Sequence, residues 1–131
     1  MAKYDADDPP GMIPVPFGIF CSDMYLSTYC MTIHLALLAP GVGFFLVFLL
    51  WLSNKDRHSS IDRHGKAAVN WLLSCLLYAI VTLVVSFYYQ PISNVFMILI
   101  VAYYLFPIIA ATKAHDEKYW NYPLSIPFFK N

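Results

Sequence analysis

The sequence predicts an all-α protein that folds as a polytopic membrane helix bundle with three transmembrane helices, and three observations lead to this fold class. Of its 131 residues, 60% are hydrophobic and 12% are charged, whereas soluble domains carry about 25% charged residues. The apolar residues fall into three uncharged blocks, each long enough to cross a bilayer. Seven of the eight Lys and Arg residues lie in segments that three spans would place on one side.

The N-terminal segment, residues 1–23, is expected to be extended because prolines are concentrated in "DDPPGMIPVPFGIF", residues 7–20. Extended proline-rich segments become ordered on a partner at low entropic cost. The same stretch holds large apolar side chains, which we take as candidate partner contacts: Met12, Ile13, Val15, Phe17, Ile19 and Phe20. We expect this segment to lie outside and to dock on a partner or on the membrane surface.

The first apolar block, residues 24–52, is 29 residues long. As one continuous helix it would extend about 43 Å, which exceeds a hydrocarbon core of about 30 Å but is too short for two spans. It contains Pro40, in "APGVG", and a proline inside a helix removes a hydrogen bond and clashes with the preceding turn. The sequence therefore predicts one span that is bent or broken at Pro40. A re-entrant pair of half-helices, giving four segments in all, is the alternative.

His34 lies inside this first block, six positions before Pro40. An ionisable side chain within a membrane is by default a candidate for function. The other interpretation is a neutral histidine that is hydrogen-bonded to the broken helix.

The second block, residues 67–89, follows "DRHGK" without any turn signal. Lys66 is expected to hold the cytoplasmic edge with its charged head in water, and Trp71 to lie at the interface. Gly65 is small enough for another helix to approach closely. For His64 we expect an interfacial or packing role, with contact to a proton, a metal or a partner as the alternative.

Polar residues recur at every fourth position of this second helix: Lys66, Asn70, Ser74, Tyr78, Thr82 and Ser86. Because a four-residue step overshoots one helical turn, the row winds by about 200° from end to end. It is therefore a ridge and not one polar face that lines a pore. Asn70 and Ser74 are expected to hydrogen-bond a neighbouring helix, and a hydrophilic path across the membrane is the alternative.

The third block, residues 92–112, completes a transmembrane domain over residues 24–114. Residues 115–131 contain two prolines and several aromatic residues, which suits the cytoplasmic headgroup region. Since Lys and Arg are concentrated between the first two blocks and after the third, these segments are expected to be cytoplasmic and the N-terminus outside. The expected location is the bacterial cytoplasmic (inner) membrane.

The sequence contains no pattern typical of an enzyme or of a metal site. The formal net charge is zero, so nothing favours a nucleic-acid partner. The three cysteines lack zinc-binding spacing, and phosphate-binding glycine loops and nucleophile elbows are absent from the sequence. We expect no catalytic activity, no cofactor and no metal.

Two stretches carry a family resemblance: "KDRHSSIDRHGKAAVNWLLS", residues 55–74, and "IIAATKAHDEKYWNYPLSIPFFK", residues 108–130. They resemble the signature regions of the small bacterial Tic20-like membrane proteins of unknown function. That family is similar to the chloroplast inner-envelope import subunit and to certain magnetosome membrane proteins. The resemblance implies a compact bundle of three or four membrane helices and brings no catalytic residues. The proline-rich N-terminus departs from the family pattern.

Three functions are compatible with these features. We expect a non-enzymatic accessory or scaffold subunit that binds a larger complex of integral membrane proteins, with self-association and the lipid bilayer as further partners. The main alternative is a component of a protein-translocation or small-solute channel, which would have to act as an oligomer because three helices cannot enclose a wide pore. A redox or metal-binding membrane protein is the third.

Overall fold

The computed structural model describes Ile13 and residues 25–130, and the regular structure in this part of the chain is helical. The elements follow in this order: α1 (Leu26–Ala36), α2 (Val42–Asn54), α3 (Ser59–Ser86), a single 3-10 turn (Gln90–Ile92) and α4 (Ser93–His115). An extended segment follows α4 and packs back against the helices. The all-α bundle expected from the sequence is confirmed.

Helices α1 and α2 form an antiparallel hairpin. Tyr29, near the start of α1, donates a hydrogen bond from its hydroxyl to the Leu50 carbonyl at 2.7 Å. The Asn54 side-chain amide donates to the same hydroxyl at 2.9 Å, so the start of α1 meets the end of α2. Two halves of one bent span would lie end to end and keep these residues far apart. The first apolar block therefore forms the pair of half-helices given as the alternative, which corrects the expectation of a single bent span, and re-entrance of this pair in a membrane stays a prediction.

The reversal takes place at the expected break. Pro40 is followed by Gly41, whose φ of +79° is a left-handed conformation that glycine adopts without steric cost. Gly43 then lies directly against the Ala36 carbonyl, where a Cβ atom would overlap that oxygen. The end of α1 and the start of α2 are therefore in direct contact at the turn.

The hairpin reaches only about half the length of the long helices. With 11 and 13 residues, α1 and α2 extend about 16 Å and about 20 Å, less than a bilayer core of about 30 Å. At its tip, the Leu37 carbonyl accepts a hydrogen bond from the Tyr103 hydroxyl at 2.7 Å. Tyr103 lies near the middle of α4, which places the tip at that depth.

Helices α3 and α4 are the two long helices of the bundle. They contain 28 and 23 residues, or about 42 Å and about 34 Å. Both are apolar and long enough to cross a membrane. They cover most of the predicted spans 67–89 and 92–112; α3 begins eight residues earlier than its apolar block and ends at Ser86, and α4 begins at Ser93.

The bundle has two unlike halves. The four-helix half, residues 26–74 and 107–130, contains nearly all the buried side chains, including Ile33, Leu50 and Trp71. The two-helix half, residues 75–106, consists of α3 and α4 with the turn between them. Among its described residues Thr82 is the only buried one.

The hairpin also bears on topology, because it returns to the end of the bundle at which it starts. Tyr25, just before α1, therefore lies at the same end as the loop around Lys55. The expected arrangement, with the N-terminal segment outside and this loop in the cytoplasm, needs the two at opposite ends. The side of the membrane on which each segment lies stays a prediction.

Candidate functional site

A buried hydrogen-bonded chain of three side chains lies at the centre of the four-helix half. His34 on α1 is fully buried. Its Nδ1 atom is 2.8 Å from the Tyr122 hydroxyl, and its Nε2 atom is 3.0 Å from His64 Nδ1. His64 comes from α3 and Tyr122 from the segment after α4, and they are 6% and 2% exposed. Three distant parts of the sequence thus meet at one point.

The direction of these hydrogen bonds follows from the tyrosine. Burial raises the pKa of the Tyr122 phenol well above its usual value, so the hydroxyl keeps its proton. The hydroxyl donates to His34 Nδ1, and the N–H on His34 Nε2 then donates to His64 Nδ1. The opposite order would leave the Tyr122 proton without an acceptor among the described residues. Both imidazoles are neutral in this arrangement.

The sequence placed these histidines differently. His34 was expected to bond to its own broken helix, whereas its partners are His64 and Tyr122. His64 was expected at the membrane edge in an interfacial or packing role, whereas it is buried against His34. The difference arises because α3 begins at Ser59, which puts His64 on the second turn of a helix that α1 covers.

Aromatic rings enclose the tyrosine end of the site. Trp71 stacks on Tyr122, with ring centroids 5.3 Å apart and an interplanar angle of 9°. Trp120 and Phe106 pack around the same pair. Trp71 was expected at the interface but is 1% exposed, because residues after α4 cover it. Its indole N–H has no hydrogen-bond partner in the described part of the chain.

The C-terminal strap, residues 119–130, lies along α3 and is bound through its backbone. The Asn70 side-chain amide donates to the Phe129 carbonyl and accepts from the Phe129 N–H, both at 2.8 Å. One turn further along α3, the Ser74 hydroxyl accepts from the Ile126 N–H at 2.7 Å. These bonds would tolerate other side chains at 126 and 129, because they use main-chain groups.

A third contact extends the row. The Tyr78 hydroxyl donates to the Leu124 carbonyl at 2.6 Å. The strap therefore runs antiparallel to α3 over two helical turns, or about 12 Å. The predicted ridge is real, but Asn70 and Ser74 bind an extended segment of the same chain where a neighbouring helix was expected. The four-residue spacing identifies the ridge but cannot say what lies on it.

Close helix approach at Gly65 occurs as expected, and the approaching helix is α2. Gly65 lies directly against the Trp51 side chain, where a Cβ atom would overlap the indole ring. The Trp51 indole N–H donates to Asp62 at 3.0 Å, and Lys66 forms an ion pair with the same carboxylate at 2.6 Å. These bonds fix α2 against the first turns of α3.

The basic end of the bundle covers the histidine pair. Tyr119 packs edge-on against His64, with ring centroids 5.5 Å apart. The Arg63 guanidinium lies 3.8 Å above the centre of the Tyr119 ring. The strap therefore contacts both histidines, through Tyr119 at His64 and through Tyr122 at His34.

The N-terminal candidates are mostly beyond what the structure describes. Ile13 is 8% exposed and packs with the core of its own chain. The other candidates lie outside the described residues: Met12, Val15, Phe17, Ile19 and Phe20. Docking of this segment on a partner stays a prediction, and burial of Ile13 in its own chain does not support it.

Chemically, the site offers facing imidazole nitrogens in a dry environment. Within residues 25–130, no group of three or more His, Cys, Asp or Glu side chains is placed to hold a metal ion. His34 and His64 together provide nitrogens that can accept and pass on a proton. The sequence named both histidines and missed Tyr122 as the partner of His34 and Tyr78 as a contact to the strap. Both tyrosines were visible, Tyr78 in the polar row and Tyr122 in the second signature region.

A known protein family matches most of the chain. The model of the magnetosome magnetite crystal formation protein family matches residues 26–129. No curated protein and no solved structure matches the chain. The expected similarity to magnetosome membrane proteins is confirmed, while the Tic20-like resemblance and the inner-membrane location stay predictions.

Proposed function

The chain belongs to the magnetosome magnetite crystal formation protein family, and from this premise we propose that it is a non-enzymatic accessory or scaffold subunit of the magnetosome membrane. In this role it contributes to magnetite crystal formation by assembling with other integral membrane proteins. The single observation that supports assembly is the exposed tip of the α1–α2 hairpin.

The tip combines irregular backbone with exposure at an unfavourable depth. Pro40, Gly41 and Val42 are exposed, and Val42 has 61% of its surface accessible. The contact between Leu37 and Tyr103 places this turn beside the middle of a helix that is long enough to cross the bilayer. Non-helical backbone at such a depth is tolerated where protein or a water-filled cavity surrounds it, but not in contact with lipid.

The tip therefore needs protein around it that the described residues do not provide. Leu38, Ala39, Val42 and Gly43 donate their N–H groups within the turn, and each backbone group that is left unsatisfied in hydrocarbon costs several kcal/mol, about 2–7 by transfer measurements. A partner helix or loop that covers the turn removes this cost. Association of this kind is the property expected of a scaffold subunit.

Photo-crosslinking in native membranes tests the proposal. A photoreactive amino acid at Val42 should give an adduct with one defined membrane protein. The matched control is Val84 in the two-helix half, which is 52% exposed on a regular helix, and which should react mainly with lipid. Lipid adducts alone at both positions would contradict the proposal.

The channel alternative gives a different adduct. An oligomeric channel requires a second copy of this chain at the tip, since one copy cannot enclose a wide pore. A crosslink from Val42 to a second copy, together with ion conductance of the purified oligomer, would favour that function over a scaffold.

A further inference from the structure

We propose that the His34–His64 pair is a proton-binding site, and that proton uptake releases Tyr122 and with it the adjoining part of the C-terminal strap. The inference concerns the control of the strap and does not depend on the scaffold role. It rests on the geometry of the hydrogen-bonded chain and on the groups that surround it.

Among the described residues, no carboxylate lies within ion-pair distance of either ring to balance a proton. From the strap, Tyr122 contacts the His34 ring and Tyr119 contacts the His64 ring. On α3 the adjacent charged group is the cation Arg63, and on α1 the group one turn earlier is the buried thiol of Cys30. Within the described residues, α2 and α4 place no carboxylate within ion-pair distance of either ring.

A proton added to this site would also reverse the hydrogen bonds. The neutral arrangement needs His34 Nδ1 as the acceptor for the Tyr122 hydroxyl. An extra proton on His34 puts hydrogens on both of its ring nitrogens. An extra proton on His64 makes His64 Nδ1 donate to His34 Nε2, so the hydrogen of His34 moves to Nδ1. In both cases His34 Nδ1 becomes a donor. The Tyr122 hydroxyl proton then has no acceptor in a site where an unsatisfied polar group is unfavourable.

The direction of the pH effect follows from this loss. Docked Tyr122 is compatible with a neutral pair, whereas the released arrangement admits water and can hold the charged pair. A solvated histidine takes up a proton near its ordinary pKa of about 6.5. Docking is therefore complete above this value and weakens as the pH falls below it.

The release would be local because the strap has separate attachments. Asn70, Ser74 and Tyr78 bind its far part through side-chain hydroxyl and amide groups that do not contact the histidine pair. Tyr122 is the contact that couples the strap to α1. Acid would therefore free the region around residue 122 while the contact at Phe129 persists.

Nuclear magnetic resonance of the full chain in phospholipid nanodiscs tests the proposal. Isotope-labelled histidine ring nitrogens report protonation, and labelled tyrosine Cζ carbons report the hydrogen bond of each phenol. Between about pH 7.5 and about pH 5, we expect the pair to become charged and the docked Tyr122 signal to lose more than half its intensity in the same titration. Tyr88 and Tyr89, exposed in the far turn, serve as controls and should not change.

Two variants make the result decisive. His34→Gln keeps a polar side chain but removes the titrating ring, so the Tyr122 signal should become independent of pH. His34→Asn, which also lacks the ring that accepts from Tyr122, provides the same test if the first variant does not fold. The proposal is overturned if both histidines stay neutral down to about pH 5, if they titrate while Tyr122 stays docked, or if the pH response survives in a folded variant.

Discussion

Four small polar residues of one row on α3, two in each half of the molecule, bond differently in the two halves. In the four-helix half, Asn70 and Ser74 on α3 bind the backbone of a distant segment. In the two-helix half, the Thr82 and Ser86 hydroxyls bond to carbonyls of their own helix. All four residues belong to one row with four-residue spacing. A polar side chain on a membrane helix therefore joins segments only where another segment covers it.

Packing differs between the halves in the same way. The four-helix half is closed by the α1–α2 hairpin and the strap, and its rings and aliphatic side chains are buried. The two-helix half leaves large apolar side chains exposed along both helices, as at Met97 and Val101. Exposure of this kind suits lipid, which solvates apolar side chains as well as protein does. Mutations should consequently be severe in one half and mild in the other.

The largest difference is expected for added bulk. Gly65→Leu in the four-helix half would force Trp51 and α2 away from α3, because even a Cβ atom overlaps the indole ring. We expect a loss of about 3 kcal/mol in the free energy of unfolding, the upper part of the range for overpacking. Denaturation of the purified protein in mild detergent measures this loss.

The control for added bulk lies in the other half. Val84→Leu, at a position that is 52% exposed, should change the unfolding free energy by less than about 0.5 kcal/mol. Equal effects of the two substitutions would show that the halves do not differ in packing.

A smaller effect is expected for loss of a hydrogen-bonding side chain. Asn70→Leu leaves the Phe129 N–H and carbonyl without their partner. Because the contact is only partly buried, we expect a loss of about 1–2 kcal/mol and faster chymotrypsin cleavage within the strap. Ser86→Ala removes a hydroxyl that bonds only to its own helix, and its strap should be cleaved at the wild-type rate. Unchanged cleavage in both variants would mean that Asn70 does not hold the strap.

The fold could be predicted from the sequence where the signal is local. Apolar length identified α3 and α4, because a membrane helix satisfies its own backbone and needs only enough apolar residues. The four-residue spacing identified Asn70 and Ser74 as one ridge, since such neighbours lie along a helix surface. Pro40 identified the break in the first block.

What the sequence could not supply is the partner across a long separation. His34 lies 30 residues from His64 and 88 from Tyr122, and contacts at such separations leave no periodic pattern. Whether the chain continues or reverses after Pro40 is likewise decided by tertiary contacts such as Tyr29 to Leu50. The same limit applied to the strap, because its extended backbone offers binding groups that no side-chain pattern reveals.

Side-specific thiol labelling tests whether α1 and α2 form a hairpin that returns to the end of the bundle at which it starts. The native cysteines are first replaced, and this cysteine-free chain should not react with the reagent. Single cysteines are then introduced at Tyr25, Ser59 and Tyr88, which are all exposed. An impermeant reagent applied to sealed, oriented vesicles should reach Tyr25→Cys and Ser59→Cys from one side and Tyr88→Cys from the other. Labelling of Tyr25→Cys from the side of Tyr88→Cys, and opposite to Ser59→Cys, would mean that the first block crosses the membrane once and would contradict the hairpin.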